Sequence, residues 1–307
     1  MFRLFRTISI FMFSVVVASC GGGSGGNSSD ISNDADVAAS TESSLSCVGA
    51  TAFDPIASGL GSPIITSAVG TPQHTTIILM HGKTGSPYAS FLESFQSDLA
   101  ALGYKVIAPF MPWSSTTWQG SLCEGMAYIN SLASPEIAAG QDVVLAGHSM
   151  GAAYSLMYGV TQPSSTIKAI ISIGPGHFMH VSNKLQSTTA SDVTRARELE
   201  ANDSGDVLDT FVTLNGGSSQ EIATTATRYL SFHDLERVPN VNLYAQSITL
   251  PVLWISGSDD PLTTNQNHQQ LAASITSVNS EFQLLSEDHQ GVVALTPNPI
   301  NTWLQSF

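Results

Sequence analysis

The chain has 307 residues, 42% of them hydrophobic and 11% charged, with 10 Lys and Arg against 24 Asp and Glu for a formal net charge of −14. So acidic a balance argues against nucleic acid and against adhesion to anionic headgroups, both of which need clustered Lys and Arg, and says little about a neutral substrate. The length allows one large domain with a full core and requires no second.

The first residues read as an export signal. Arg3 and Arg6 form a charged start, residues 8–18 are almost wholly apolar, and small residues follow. The apolar run is too short to span a bilayer as a helix. Val17-Ala18-Ser19-Cys20 resembles the bacterial lipoprotein cleavage box. That resemblance implies loss of residues 1–19 and a mature chain beginning at a lipidated Cys20, held in a membrane by acyl chains such as palmitate, at about 0.8 kcal/mol per buried CH₂. The expected location is exported and membrane-anchored, on the periplasmic side or at the cell surface. Removing Arg3 and Arg6 would leave 8 basic residues (10 − 2) against 24 acidic ones, a balance of −16. Residues 20–46, rich in Gly and Ser, lack the apolar spacing needed to bury anything and read as a flexible tether with a reach of roughly 25–30 Å. Residues 47–307 then form the folded domain. Within it only Cys47 and Cys123 remain, a candidate disulfide in an oxidising compartment, and no Cys/His spacing suggests a metal site.

From residue 74 onward strands and helices alternate. Residues 75–80 read as a strand, and 89–102 as a helix with Phe91, Leu92, Phe95, Leu99 and Leu102 on one face, ended by Gly103. Residues 104–108 form the next strand, stopped by Pro109, and 120–132 a helix. Strands at 142–146 and 168–173 follow. Residues 177–248 interrupt the rhythm with a polar segment whose better helix candidates are 192–200 and 220–229, and this insertion of about 177–248 reads as a helical lid over the strand ends where ligands bind in open sheets. Strands at 251–256 and 282–285 flank a helix around 265–275, and 298–304 closes the chain. The pattern predicts an α/β fold, a mostly parallel central sheet with helices on both faces.

Gly147-His148-Ser149-Met150-Gly151 sits between the strand at 142–146 and a helix starting near 152. A sharp strand-to-helix turn with glycines on both sides would expose the Ser149 hydroxyl, making it a candidate nucleophile. His81-Gly82-Lys83-Thr84-Gly85 follows the strand at 75–80, and a glycine-flanked turn there can aim the backbone amide of Lys83, together with that of Met150, at an oxyanion. On this reading the Lys83 side chain is a solvated charge and His81 supports the turn. Gly257-Ser258-Asp259-Asp260-Pro261 offers two adjacent carboxylates, of which Asp260 is favoured over Asp259 to orient a base. His289, on the loop after the last strand, is the candidate base. His148 beside the nucleophile should point away from the serine, while His177 and His180 read as lid or pocket residues. The apolar stretch from Phe110 to Trp113, with Trp118, reads as a pocket wall or as packing for the lid; Trp113 and His177 are the pocket candidates.

Taken together, the elbow at Ser149, the upstream His-Gly loop, and Ser149, Asp260 and His289 in that order resemble the α/β-hydrolase superfamily from about residue 74 to the C-terminus. The resemblance implies no metal or organic cofactor and, by default, a carboxylic ester hydrolase of the esterase and lipase kind, working through an acyl-enzyme on a small-molecule or lipid ester. The sequence lacks the His-Gly-Gly-Gly form of the oxyanion loop. A thioesterase or amidase using the same residues, and a non-catalytic surface binding lipoprotein, stand as alternatives. The oligomeric state is not legible.

Overall fold

A computed structural model describes residues 47–162 and 166–307. The expected signal segment, Cys20 and the tether therefore lie outside the described residues. The elements run in the order β1 (Ile64–Thr66), β2 (Thr75–Met80), α1 (Ser90–Ala101), β3 (Lys105–Ala108), α2 (Leu122–Ala138), β4 (Asp142–His148), α3 (Met150–Thr161), β5 (Ala169–Ile173), α4 (Asn183–Ala201), β6 (Leu208–Asn215) and β7 (Ser218–Thr225). There follow α5 (Ala226–His233), α6 (Val241–Tyr244), β8 (Val252–Gly257), α7 (Pro261–Asn265), α8 (His268–Ala273), β9 (Glu281–Leu285), α9 (Gly291–Leu295) and α10 (Pro297–Leu304).

A seven-stranded sheet in the order β1-β3-β2-β4-β5-β8-β9 forms the centre, parallel except for β1, which pairs antiparallel with β3. The inner strands are apolar on both faces because both faces are covered, so they read as continuous runs. Ile77, Leu79, Val144 and Ala146 pack with Leu92, Phe95 and Leu99 of α1 and with Val292, Val293, Ile300 and Trp303 near the C-terminus. The opposite face carries Ile78, Met80, Val143 and Leu145 against Leu122, Met126 and Ile129 of α2 and Tyr154 and Met157 of α3. Helix α2 begins at a capping box, in which Ser121 Oγ accepts from the Glu124 amide and the Glu124 carboxylate accepts from the Ser121 amide. It runs through Pro135 to Ala138, beyond the expected end at 132.

Two features position the site. The chain leaves β2 for β3 on one side and returns to β4 on the other, so β2 and β4 are neighbours across a topological switch point, where open α/β sheets bind ligands. Their register carries Met80 opposite Gly147. The loop after β2 and the turn after β4 thus emerge side by side.

The insertion between β5 and β8 is only partly helical, which corrects the expectation of a helical insertion. Residues 220–229, read as a helix, divide into the end of β7 and the start of α5. The reason is the turn before them: Asn215 pairs with Ser218 across Gly216 and Gly217, whose φ values are 54° and 79°. Two glycines at positive φ make the two-residue turn that matches strand twist, and they launch an antiparallel hairpin. The hairpin is docked at β7, where the Trp118 amide donates to the Ala223 carbonyl and the Ala223 amide to the Thr116 carbonyl.

Cys47 and Cys123 form a disulfide, with Cα atoms 5.0 Å apart and a sequence separation of 76. It staples the start of the domain to the first turn of α2. In the chain-entropy account so long a closed loop stabilises the fold by roughly 4–5 kcal/mol. Cys47→Ser/Cys123→Ser is expected to lower the urea-unfolding free energy by an amount of that order, and reductant should leave this double variant unaffected while destabilising the wild type.

Candidate active site

Ser149 joins β4 to α3 at φ 58° and ψ −118°, a region that non-glycine residues avoid at a cost of about 1–3 kcal/mol. Both flanking glycines are required by close approach. A Cβ on Gly147 would lie 2.2 Å from the Gly151 carbonyl carbon, and one on Gly151 would lie 2.5 Å from the Met80 carbonyl oxygen. The turn is held by the Ser149 amide, which donates to Ile173 at 3.0 Å, and by the Ser149 carbonyl, which accepts from Ala152, Ala153 and Gly176.

Three loops bring polar side chains to this corner. Ser149 Oγ donates to His289 Nε2 at 3.0 Å, and His289 Nδ1 donates to Asp260 Oδ2 at 2.7 Å. Asp260 is 2% exposed and its Oδ1 accepts from the Leu262 amide at 2.9 Å. Burial works against its charge, but the bond and positive charge of His289 and the Leu262 amide outweigh it, so its pKa lies below the ordinary carboxylate value. Asp259 points to solvent, so the shared loop separates the two carboxylates as opposite neighbours on a turn must.

The Met150 and Lys83 amides, one at the first turn of α3 and one in the loop after β2, have no acceptor among the described residues. The loop lies against the serine: a Cβ on Gly82 would be 3.1 Å from Ser149 Cβ. His81 braces it from behind, its Nδ1 donating to the Gly82 carbonyl at 2.8 Å and its Nε2 accepting from Ser114 Oγ at 2.7 Å. Trp113 is fully buried and donates through Nε1 to the His81 carbonyl at 3.1 Å. Of its two expected roles, pocket wall or packing for the insertion, the geometry gives it the second: its indole packs against Tyr154 and Phe232 and holds this loop. The apolar gap beside Met150, bounded by Leu122, Tyr154, Met157, His177, Phe232 and Val238, is too tight to hold a water.

Two contacts escaped the sequence reading. The Lys83 side chain is not a solvated charge: its Nζ donates to Thr213 Oγ1 at 3.0 Å and to the Leu214 carbonyl at 2.7 Å, both on β6. Nothing local signals this, because the partners lie more than a hundred residues away. His148 does turn from Ser149, yet it touches the relay, with its Nε2 donating to the His289 carbonyl at 2.8 Å and its ring 4.7 Å from that of His289.

The surrounding histidines are neutral. Burial pushes His81 down to about 4 and His268 to about 4, and burial with the nearby charge of His289 takes His148 to about 3. His177 and His233 lie well below the ordinary value for the same first reason, burial, with the charge of Lys83 adding to it. No group of three or more His, Cys, Asp or Glu side chains with metal-binding geometry occurs among the described residues.

The sequence matches the family model described as serine aminopeptidase, S33, over residues 127–288, more than half of the chain. The chain belongs to this family. Its fold is that of the α/β-hydrolase superfamily, and its membership makes it a serine hydrolase. It is 31% identical over 104 residues to esterase PE16 of Mycobacterium tuberculosis, an alignment covering 30% of this chain and 19% of that protein. Among solved structures it is similar to a monoacylglycerol lipase of Paleococcus ferrophilus (TM-score 0.59, 18% identity, 80% of this chain and 99% of that one). A monoglyceride lipase of Saccharomyces cerevisiae is also similar (TM-score 0.57, 16% identity, 80% and 91%). At these identities the likeness is one of fold.

The neutral histidines set the acid limit of this hydrolase. Each has a folded pKa below its unfolded value near 6.5, so its contribution to stability is complete above about 6.5 and is lost as pH falls toward the folded value. Asp260, lowered likewise, adds a loss in the same direction at still lower pH. The unfolding free energy is expected to fall steeply from pH 6.5 to 4, measured by urea titration at each pH. Gly151→Ala, which drives a methyl against the Met80 carbonyl, is expected to cost about 1–3 kcal/mol in the same assay.

Proposed function

We propose that this protein hydrolyses carboxylic esters through a covalent acyl-enzyme on Ser149. The observation that carries the reading is the continuous relay of 3.0 and 2.7 Å from Ser149 through His289 to Asp260. His289 takes the Ser149 proton as Oγ attacks the ester carbonyl carbon, and Asp260 holds the imidazole in the tautomer with its proton on Nδ1 and stabilises the imidazolium. The tetrahedral oxyanion is met by the Lys83 and Met150 amides. His289 then returns the proton to the leaving alcohol oxygen, giving the acyl-enzyme. Water, deprotonated by His289, attacks the acyl carbon, and collapse releases the acid and restores the Ser149 hydroxyl.

The family description favours a second reading, cleavage of a peptide at its free amino end. That reading requires a group that binds the substrate's ammonium, which ester hydrolysis does not.

A fluorophosphonate probe is expected to label the protein at Ser149; an inert, folded protein would overturn the proposal. On p-nitrophenyl esters, Asp260→Asn should lower kcat by about 10⁴ through the wrong imidazole tautomer, whereas Asp259→Asn should leave it unchanged. A series of acyl lengths against an aminoacyl amide separates the two readings by which substrate gives the larger kcat/KM.

We also propose that the mature chain is anchored to a bacterial membrane through lipid on Cys20, a reading supported by the Val17–Cys20 box and the apolar segment before it. Cys20→Ser should move the protein from the membrane to the soluble fraction. Retention of the variant in the membrane would count against the anchor.

A further inference from the structure

The Lys83 side chain presents a problem in stability. Its side chain is half-buried, its ammonium bonds to two neutral oxygens, Thr213 Oγ1 and the Leu214 carbonyl, and it forms no ion pair among the described residues. Burial without a counter-charge pushes its pKa down to about 7. A charged group so placed disfavours the folded state, and an apolar side chain of the same length would fit the site at lower cost. The charge faces other titratable groups that do not help it. His233 on α5 and His177 after β5 are both nearby, and each is held neutral in part by Lys83 itself. Thr213 passes its own proton on to His233 Nε2 at 2.9 Å, and His233 Nδ1 donates to the Tyr229 carbonyl at 3.0 Å, so the chain of bonds ends on backbone within the insertion.

What the ammonium does is join two elements that are remote in sequence. Lys83 lies in the loop that offers an amide to the oxyanion, and both its partners lie on β6. The next residue repeats the link: Thr84, at φ 50°, donates to Gln220 Oε1 on β7 and accepts from Asn215 Nδ2 at the hairpin turn. A residue in a strained conformation persists only where its surroundings hold it. The hairpin supplies that hold for the loop after β2.

We propose that Lys83 is a positioning residue that clamps the oxyanion loop to the β6–β7 hairpin, so that the loop amide is aimed at the reacting carbonyl only while the hairpin is docked. The inference rests on the assignment of Ser149 as nucleophile. It adds that the insertion takes part in turnover through the backbone of the loop, without touching the substrate.

The test is Lys83→Met, which keeps the length of the side chain and removes the ammonium. Lys184→Met serves as the control, since Lys184 Nζ donates to the Gly217 carbonyl at the tip of the same hairpin and makes no contact with the loop. With p-nitrophenyl esters, Lys83→Met is expected to lower kcat about 10-fold, less than the 10²–10³ expected for losing an oxyanion donor outright. KM should stay within about twofold and the thermal midpoint should be equal to or above that of the wild type. Lys184→Met should match the wild type in kcat. Thr213→Val should lower kcat, and the double variant Lys83→Met/Thr213→Val should lose little beyond Lys83→Met alone. Unchanged kcat in Lys83→Met, a fall in kcat matched by a fall in thermal midpoint, an equal loss in Lys184→Met, or additive losses in the double variant would each overturn the clamp. Fluorophosphonate labelling separates the two levels. A wild type that labels at Ser149, with Lys83→Met as active as it, sinks only the clamp; a wild type that neither labels nor turns over ester sinks the Ser149 assignment and the clamp together.

Discussion

The contact between the serine turn and the end of β2 governs the rest of this structure. Gly151 packs its backbone against the Met80 and His81 carbonyls at a distance no side chain would allow, and Gly147 does the same against Gly151. That approach lets Ser149 occupy a strained conformation with its hydroxyl outward, and it sets the turn directly beside the loop carrying Lys83. The strain is sustained by parallel pairing on both sides of β4, to β2 and to β5, which leaves the chain no slack to relax. The relay to His289 and the alignment of the two amides depend on a corner that cannot move.

Around this corner the protein keeps one ionised partner for His289 and otherwise removes charge. Asp260 holds its charge through hydrogen bonds that outweigh its burial, while His81, His148, His177, His233 and His268 are kept neutral by burial. Neutral imidazoles act there as fixed donors and acceptors: His81 ties its loop to Ser114, and His148 supports the backbone of His289. Lys83 departs from this economy of charge, a half-buried ammonium facing neutral oxygens. Its hydrogen bonds tie the loop after β2 to the hairpin.

Much of the fold was legible because the inner strands announce themselves. Residues 75–80 are a strand at both levels, and the helices at α1 and α10 end within a residue of the positions expected from apolar spacing and from Gly103. The edge strand β1 was missed, being three residues long with an exposed Ile65 and therefore no apolar pattern. The hairpin was misread because Gln220 to Tyr229 is polar and ambiguous in period, while the informative signal, Gly216-Gly217, lies before it. For the site, the residue types and their order were visible at Ser149, Asp260 and His289. The choice between the two roles of Trp113, and the partners of the Lys83 side chain, were not, since each is decided by a residue far away in sequence.

The sequence by itself determined which residues could do chemistry and on which loops they would sit, because strand-ending turns are short and glycine-marked, and a short turn leaves few conformations. It also determined the pair of cysteines, since no others remain in the folded domain. Only the tertiary structure decided which of two adjacent aspartates meets the imidazole, that Trp113 packs behind the site, and that Lys83 reaches β6. These outcomes depend on direction across gaps of tens to hundreds of residues. Hydrophobic periodicity records how a residue faces its own element, and it carries no information about which distant element will be packed against that face.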